Sequence, residues 1–179
     1  PTLNTQYRVV VVASNGCTDT DFVNITVNPK QKIGNYTWID SNKDGCQTTG
    51  ELGLNGVTVS LYTSTGTLVT TATTSNNPTN GLAGYYQFEV CPGSYYVNFG
   101  QPTGYVFTGK NICGDVPSNS DANTTNGNVD PFTIVSGQDN LTIDAGFIPV
   151  GNIRGNVTAD TNNDNVGDSP LANVTINLK

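Results

Sequence analysis

The chain contains no histidine and no methionine, a single tryptophan and only seven basic residues in 179. Without histidine it lacks the commonest general base and the commonest nitrogen ligand for a metal, so most hydrolytic mechanisms lose their first candidate. Serine and threonine are plentiful, but a nucleophilic hydroxyl needs an activating base, and neither histidine nor a buried lysine candidate supplies one. An enzyme is not expected. The formal net charge of −7 leaves no basic footprint for a phosphate backbone or an anionic membrane surface, so no nucleic-acid partner is expected. No apolar run approaches the ~18 residues of a membrane helix, which argues against membrane insertion of this segment. The start, PTLNTQYRVVVV, lacks the basic residues and cleavage site of a signal peptide, and reads as a point in mid-protein. The four cysteines, Cys17, Cys46, Cys91 and Cys113, form no CxxC pair and have no histidine partner. Zinc and thioredoxin-like readings therefore fail, and a disulfide is expected.

Threonine (26) and asparagine (24) dominate the composition, helix formers are scarce, and valine and tyrosine lead where apolar residues cluster. That composition favours an all-β protein. Twelve of the fourteen acidic residues are aspartate, a bias toward turns and metal loops and away from charged helix faces. Six sequons, at Asn24, Asn35, Asn123, Asn140, Asn156 and Asn173, agree with an exported, extracellular chain.

Residues 6–28 hold two β-rich runs around the turn signal Ser14-Asn15-Gly16 and read as a hairpin. An isolated hairpin is marginal, so this one reads as the end of a larger domain, cut by the linker Asn28-Pro29-Lys30-Gln31. IGNYTWID follows, with Tyr36 and Trp38 on one face. NGVTVSLYTSTGTLVTTAT alternates Val57, Val59 and Leu61 and turns at Ser64-Thr65-Gly66, which predicts a second hairpin. GYYQFEV and SYYVNF flank Cys91-Pro92-Gly93; a long polar stretch runs from Gly109 to Asp130; FTIVSGQDNLTIDAGF predicts a closing hairpin. About seven to nine short strands at this spacing predict a β-sandwich. Near Val150 the plan restarts, since GNIRGNVTADTNNDNVGDSPLANVTINLK repeats the strand, Asp/Asn loop and strand of residues 33–61.

The loop DSNKDGCQTTGE, residues 40–51, fits D-x-[DN]-x-[DN]-G-x5-E without a mismatch. Calcium takes six to eight hard oxygens, so side-chain ligands are needed at alternate positions, here Asp40, Asn42 and Asp44. Gly45 permits the sharp turn, Cys46 need offer only its carbonyl, Thr48 acts directly or through water, and Glu51 closes with two oxygens. A surface turn rich in Asp and Asn would match by accident less often than such a site. The second loop offers Asp160, Asn162, Asp164 and Asp168. Asn165 replaces its glycine and Leu171 stands in place of the closing Glu, which implies weaker binding or closure by Asp168.

Taken in order, IGNYTWIDSNKDGCQTTGE, LGLNGVTVSLY, PGSYYVNF, the stretch Asn119-Ser120-Asp121 and LTIDAGF resemble the SdrD B-like repeats of serine-aspartate-repeat adhesins. Cys46 departs from that pattern, where an aliphatic residue is usual. The resemblance implies a calcium-stiffened, prealbumin-like β-sandwich used as a stalk repeat, and a further calcium site from Asp121 and Asn123 with Asp130 or Asp144. In such a topology Cys91 and Cys113 fall at the end opposite the calcium loop, which makes Cys91–Cys113 the first expected disulfide and Cys46–Cys113 the second. The Lys–Asn isopeptide bond of some related modules is not expected, because IGNYTWID has no lysine. Residues 1–30 resemble the last strands of a bacterial immunoglobulin-like repeat, with the partner of Cys17 lying outside them. The expected layout is a truncated immunoglobulin-like domain over 1–30, a complete sandwich over 32–149 and a truncated further module over 150–179: tandem β-sandwiches with calcium-binding loops. The expected role is a non-enzymatic stalk segment of a secreted bacterial adhesin or filament protein, whose partners are neighbouring modules and other copies in a filament. Two alternatives are a filament subunit that exchanges strands with its neighbours and a glycan-binding module using Tyr95, Tyr96 or Tyr105.

Overall fold

The computed structural model describes residues 4–114, 117–151 and 155–176. Every regular element among them is a strand. β1 (Thr5–Val12) and β2 (Thr18–Ile25) form the expected antiparallel hairpin, with Thr5 opposite Ile25 and Val12 opposite Thr18. Gly16 turns the chain with φ of 84°, and its N–H donates to the Ala13 carbonyl at 2.9 Å. Apolar side chains on both faces of this ribbon are exposed, among them Tyr7, Val11, Phe22 and Val23.

The next eight strands are β3 (Gln31–Ile39), β4 (Thr58–Thr63), β5 (Leu68–Thr73), β6 (Tyr85–Val90), β7 (Gly93–Phe99), β8 (Tyr105–Phe107), β9 (Phe132–Ile134) and β10 (Ala145–Pro149). They form two four-stranded sheets, β6–β3–β10–β8 and β5–β4–β7–β9, in the expected prealbumin-like sandwich. Val57, Val59 and Leu61 are fully buried, as their alternation requires, and meet Ile33, Phe88, Val97, Phe99 and Phe147 in the core. Each such side chain contributes on the order of 1.5–3 kcal/mol of burial.

The closing hairpin does not form. β9 pairs with β7 in one sheet, while β10 lies in the other, parallel to β3. The reason is the open edge of β3 opposite β6. It captures the returning chain before β10 begins: the Gly34 N–H donates to the Asn140 carbonyl at 3.0 Å, and the Asn140 N–H to the Lys32 carbonyl at 2.8 Å. β10 then continues along the same edge, Ala145 level with Thr37 and Phe147 level with Ile39.

Alternation splits β3 between two environments. Ile33 faces the core, and Trp38 points out of the opposite face, yet it is fully buried because its indole lies across Gly146. The chain divides into two compact units, Pro1–Pro149 and Val150–Lys179. In the second, β11 (Thr158–Ala159) and β12 (Ser169–Pro170) pair antiparallel around the Asp/Asn loop. The opening strand expected there runs through residues 152–154, outside the described residues.

Two glycines separate conformational from steric demand. Gly66, at the β4–β5 turn with φ of 91°, has open space where a Cβ would sit; Gly84, with φ of 86°, has the Thr37 carbonyl oxygen there and Gly53 Cα at 3.0 Å. G66A is expected to cost about 1 kcal/mol of left-handed backbone strain, and G84A about 2–5 kcal/mol once overpacking is added. Urea unfolding of both variants checks this; equal losses would show that residues 53 and 84 do not pack backbone to backbone.

Candidate metal centre

The loop after β3 is built around a carboxylate. Asp40 is completely buried. Its Oδ1 accepts the N–H of Lys43 at 2.6 Å and of Asp44 at 3.2 Å, and its Oδ2 accepts the N–H of Gly45 at 2.9 Å and the Thr108 hydroxyl. Lys43 and Gly45 take positive φ (63° and 76°), the conformations that turn these N–H groups inward. Asn42 Nδ2 donates to Asp44 Oδ2 at 2.8 Å and to Thr48 Oγ1 at 3.3 Å, so two of the other expected ligands lie within hydrogen-bond reach of Asn42. Glu51 spans the loop mouth: Oε1 accepts the Ser41 N–H at 2.8 Å and Oε2 the Thr48 N–H at 2.9 Å.

Among the described residues, no three Asp, Glu, Cys or His side chains converge on one point as a ready metal cage. The fit to calcium lies instead in the donors. Positions 1, 3, 5, 9 and 12 all carry hard oxygen; each Glu51 oxygen accepts one N–H and keeps a second lone pair, whereas both Asp40 oxygens already accept two bonds, so Asp40 would exchange one of them, such as the Thr108 hydroxyl, for an ion.

A second segment closes over this loop. The Gln47 N–H donates to the Ser118 carbonyl at 2.8 Å and the Ser120 N–H to the Gly45 carbonyl at 3.3 Å, which sets Cys46 opposite Asn119. In such a pair the residues' own N–H and C=O point away from each other, so the Cys46 carbonyl is turned back toward its own loop. The Cys46 side chain is bonded to Cys113, with 5.8 Å between their Cα atoms. Cys91–Cys113, the first expected pairing, does not form; Cys91 and Cys17 are free and exposed. Strand register explains why. Val90, the residue before Cys91, pairs with Gln31 at the start of β3, whereas Cys46 follows the end of β3. Eight residue steps at ~3.3 Å put these ends roughly 26 Å apart, far beyond the reach of a disulfide. Cys113 belongs with the Asp40 end because the Thr108 N–H donates to the Gly146 carbonyl, in register with Trp38.

The second loop reproduces the backbone N–H bonds of the first. Asp160 Oδ1 accepts the N–H of Asn163 (2.6 Å) and Asp164 (3.2 Å), and its Oδ2 that of Asn165 (2.9 Å). Asn162 Oδ1 accepts the Asp164 N–H at 3.1 Å, the distance found between Asn42 and Asp44. Asn165 takes φ of 65°, standing in for the glycine. Asp168 replaces Glu51 on the position-2 amide, accepting the Thr161 N–H at 2.7 Å, and the Thr161 hydroxyl and amide hold its carboxyl below the usual range.

The third set of residues divides. Asp121 and Asp144 meet, the Asp144 N–H donating to Asp121 Oδ2 at 2.8 Å. Asn123 instead caps its own turn by accepting the Thr125 N–H, and Asp130 pairs with Lys110 at 2.7 Å. Asp144 is buried; its Oδ1 accepts the N–H of Tyr36 at 2.8 Å and of Asn35 at 3.2 Å, and its Oδ2 the Gln47 amide at 2.8 Å. Thr108 and Gln47 are the site residues that sequence reasoning missed. Neither belongs to the loop's ligand pattern, and their partners lie 68 and 97 residues away.

Burial pushes the Asp144 carboxyl up to about 7, with Asp121 adding to the rise, against the pull of its three N–H donors. Its folded pKa thus lies above the unfolded value near ~3.9, so the folded state holds the extra proton between those values and stability falls as pH rises from about 4 to about 7. The full effect is on the order of 4 kcal/mol. D144N keeps the neutral shape, and the Gln47 amide can rotate to suit it. In chelator, melting curves of D144N and the parent chain should diverge in favour of D144N as pH rises across that window; parallel curves would remove Asp144 as their cause.

Comparison with known proteins places this site in a family. The SdrD B-like domain model matches residues 31–147, from the first residue of β3 into β10. Serine-aspartate repeat-containing protein F of Staphylococcus epidermidis is 38% identical over 157 residues, which cover 84% of this chain and 8% of that protein. Serine-aspartate repeat-containing protein D of Staphylococcus aureus strain Newman is 36% identical over 157 residues, covering 84% and 11%. The chain therefore spans about a tenth of the length of these relatives. With its eight-stranded sandwich and the Asp-rich loop at the end of the first strand, the chain belongs to the SdrD B-like domain family.

Proposed function

We propose that this chain is a stretch of the extracellular stalk of a long bacterial surface protein, with calcium stiffening its repeats. The observation that carries the proposal is the duplicated loop. Residues 40–46 and 160–166 share five backbone N–H to side-chain hydrogen bonds at the same distances, although Ser41, Lys43, Gly45 and Cys46 have become Thr161, Asn163, Asn165 and Val166. A frame kept while its non-coordinating residues change is what a shared ligand requires. Residues 1–30 are then the last strands of an immunoglobulin-like module, 32–149 a complete sandwich and 150–179 the opening of the next. The relatives' names speak of repeats, and their length leaves room for many such modules.

In the first loop Asp40, Asn42, Asp44 and Glu51 would hold the ion by their side chains, Cys46 by its carbonyl, and Thr48 directly or through water. Bound calcium would offset two of the three negative charges that the loop gathers at the end of β3. Asp40 ties the loop to Thr108 and hence to β8, and Gln47 ties it to Asp144 beside β10, so rigidity at the loop passes into the sheet. The role is mechanical.

One observation favours a second reading, carbohydrate binding. Of the three tyrosines considered for it, Tyr95 and Tyr105 pack against the core, while Tyr96 stacks on Tyr62 at 4.9 Å beside a surface groove lined by Asn123, Asn126 and Asn128. Glycan binding lost in Y96A and indifferent to the calcium loop would favour that reading.

For the stalk reading, calcium at about 100 times its dissociation constant adds roughly 2.7 kcal/mol, which should raise the melting midpoint by about 5–10 °C over the chelated chain. D44N and E51Q should shrink that rise. A midpoint unmoved by calcium would overturn the proposal.

A further inference from the structure

We infer that the Cys46–Cys113 disulfide is a redox lock on the calcium loop, raising its affinity for the ion when oxidised and lowering it when reduced; this rests on the calcium reading above. Cys46 occupies loop position 7, the one position that contributes a backbone carbonyl and leaves its side chain without a ligand role. That side chain carries the covalent link to Cys113, in the segment whose described residues, 109–114 and 117–120, form the outer wall of the loop.

This wall touches the loop at several places. Thr108, where the segment starts, donates its hydroxyl to Asp40; Gly45 lies against the Gly109 carbonyl and Ile112; and Ser118 and Ser120 bracket Cys46 through bonds to Gln47 and Gly45. Those two bonds turn the Cys46 carbonyl toward the loop. Yet among its described residues, 109–114 and 117–120, the wall has no helix or strand of its own. Among its described residues it is held internally by a few bonds, such as the Asn111 N–H to the Ser120 carbonyl at 2.9 Å and the Asn119 amide to the Gly114 carbonyl at 2.7 Å. Opening the disulfide removes the one covalent hold on position 7 and leaves it to hydrogen bonds and packing: the two brackets, the Cys46 N–H to Asp44 Oδ1 at 2.8 Å and the contacts of Thr108 and Ile112. Both cysteines are half-buried, within reach of a small thiol.

The redox step is ordinary thiol–disulfide exchange. A thiolate of a small dithiol attacks one sulfur and breaks the S–S bond; its second thiol then resolves the mixed disulfide. The protein gains two electrons and two protons as two thiols, and the dithiol becomes a cyclic disulfide. Because coupling between two equilibria is reciprocal, calcium must protect the disulfide by the same factor by which the disulfide strengthens calcium binding.

The test uses the full chain with C17S and C91S, so that only this disulfide responds. Calcium affinity is measured by calorimetric titration for the oxidised chain, for the chain reduced by dithiothreitol, and for the chain that also carries C46S and C113S. The oxidised chain should bind at least about fivefold more tightly, and the other two should agree. Equal affinity in all three would overturn the lock and leave the calcium reading standing, whereas no binding even when oxidised would overturn both. A second measurement needs no change at either cysteine of the pair: the dithiothreitol concentration that half-reduces the disulfide, with and without calcium. Calcium should raise it by a matching factor, and an unmoved midpoint would overturn the lock. Loss of the far-ultraviolet sheet signal on reduction would also overturn it, by showing that the disulfide staples the whole fold.

Discussion

At the end of the first sandwich strand, a carboxylate cut off from water holds the chain in place. Asp40 accepts three backbone N–H groups and the Thr108 hydroxyl, and the loop's shape, the start of the long connection and the covering of Trp38 all depend on that convergence. Burying an ionisable group is tolerable only when its oxygens are fully occupied. Here three of the four donors are backbone groups of the loop itself, so the loop folds around the aspartate and needs no helix on either side.

That arrangement explains how a loop motif familiar from helical hands serves a β-sandwich. The strand before it delivers Asp40 to the end of the sheet, and positive φ at positions 4 and 6 aims the amides inward. The copy at residues 160–168 separates what is essential from what is not: Asn replaces Gly because asparagine also tolerates a left-handed backbone, and Asp168 replaces Glu51 on the position-2 amide. Cysteine at position 7 of the first loop then reads as a third kind of substitution. There the side chain has no ligand role, and it is used to fasten the loop to a distant segment. In a chain-entropy picture, closing a span of 67 residues lowers the entropy of the unfolded chain by an amount worth roughly 4 kcal/mol.

Local pattern made much of this legible. Alternation at Val57, Val59 and Leu61, the turns at Gly16 and Gly66, the hairpins β1–β2 and β4–β5 and the Asp-rich loops each depend on residues within a few positions of one another. Their physics is complete within one stretch of chain. The final pair of runs, FTIV and DAGF, has the same local appearance as a hairpin, yet the two strands lie in different sheets because β3 had a free edge to fill. Nothing inside those sixteen residues records that edge.

The sequence by itself determined the fold class and the position of the two Asp-rich loops, because strand periodicity and turn chemistry are short-range properties. Only the tertiary structure decided which cysteine Cys113 meets, which hydroxyl satisfies Asp40 and which acids stand together. Each of those depends on the parallel register of β3 and β10, which carries Thr108, Cys113 and Asp121 to the Asp40 end of the sheet and leaves Cys91 at the other. Register is set by the competition of whole strands for a common edge, and that competition is settled only when the sheet closes.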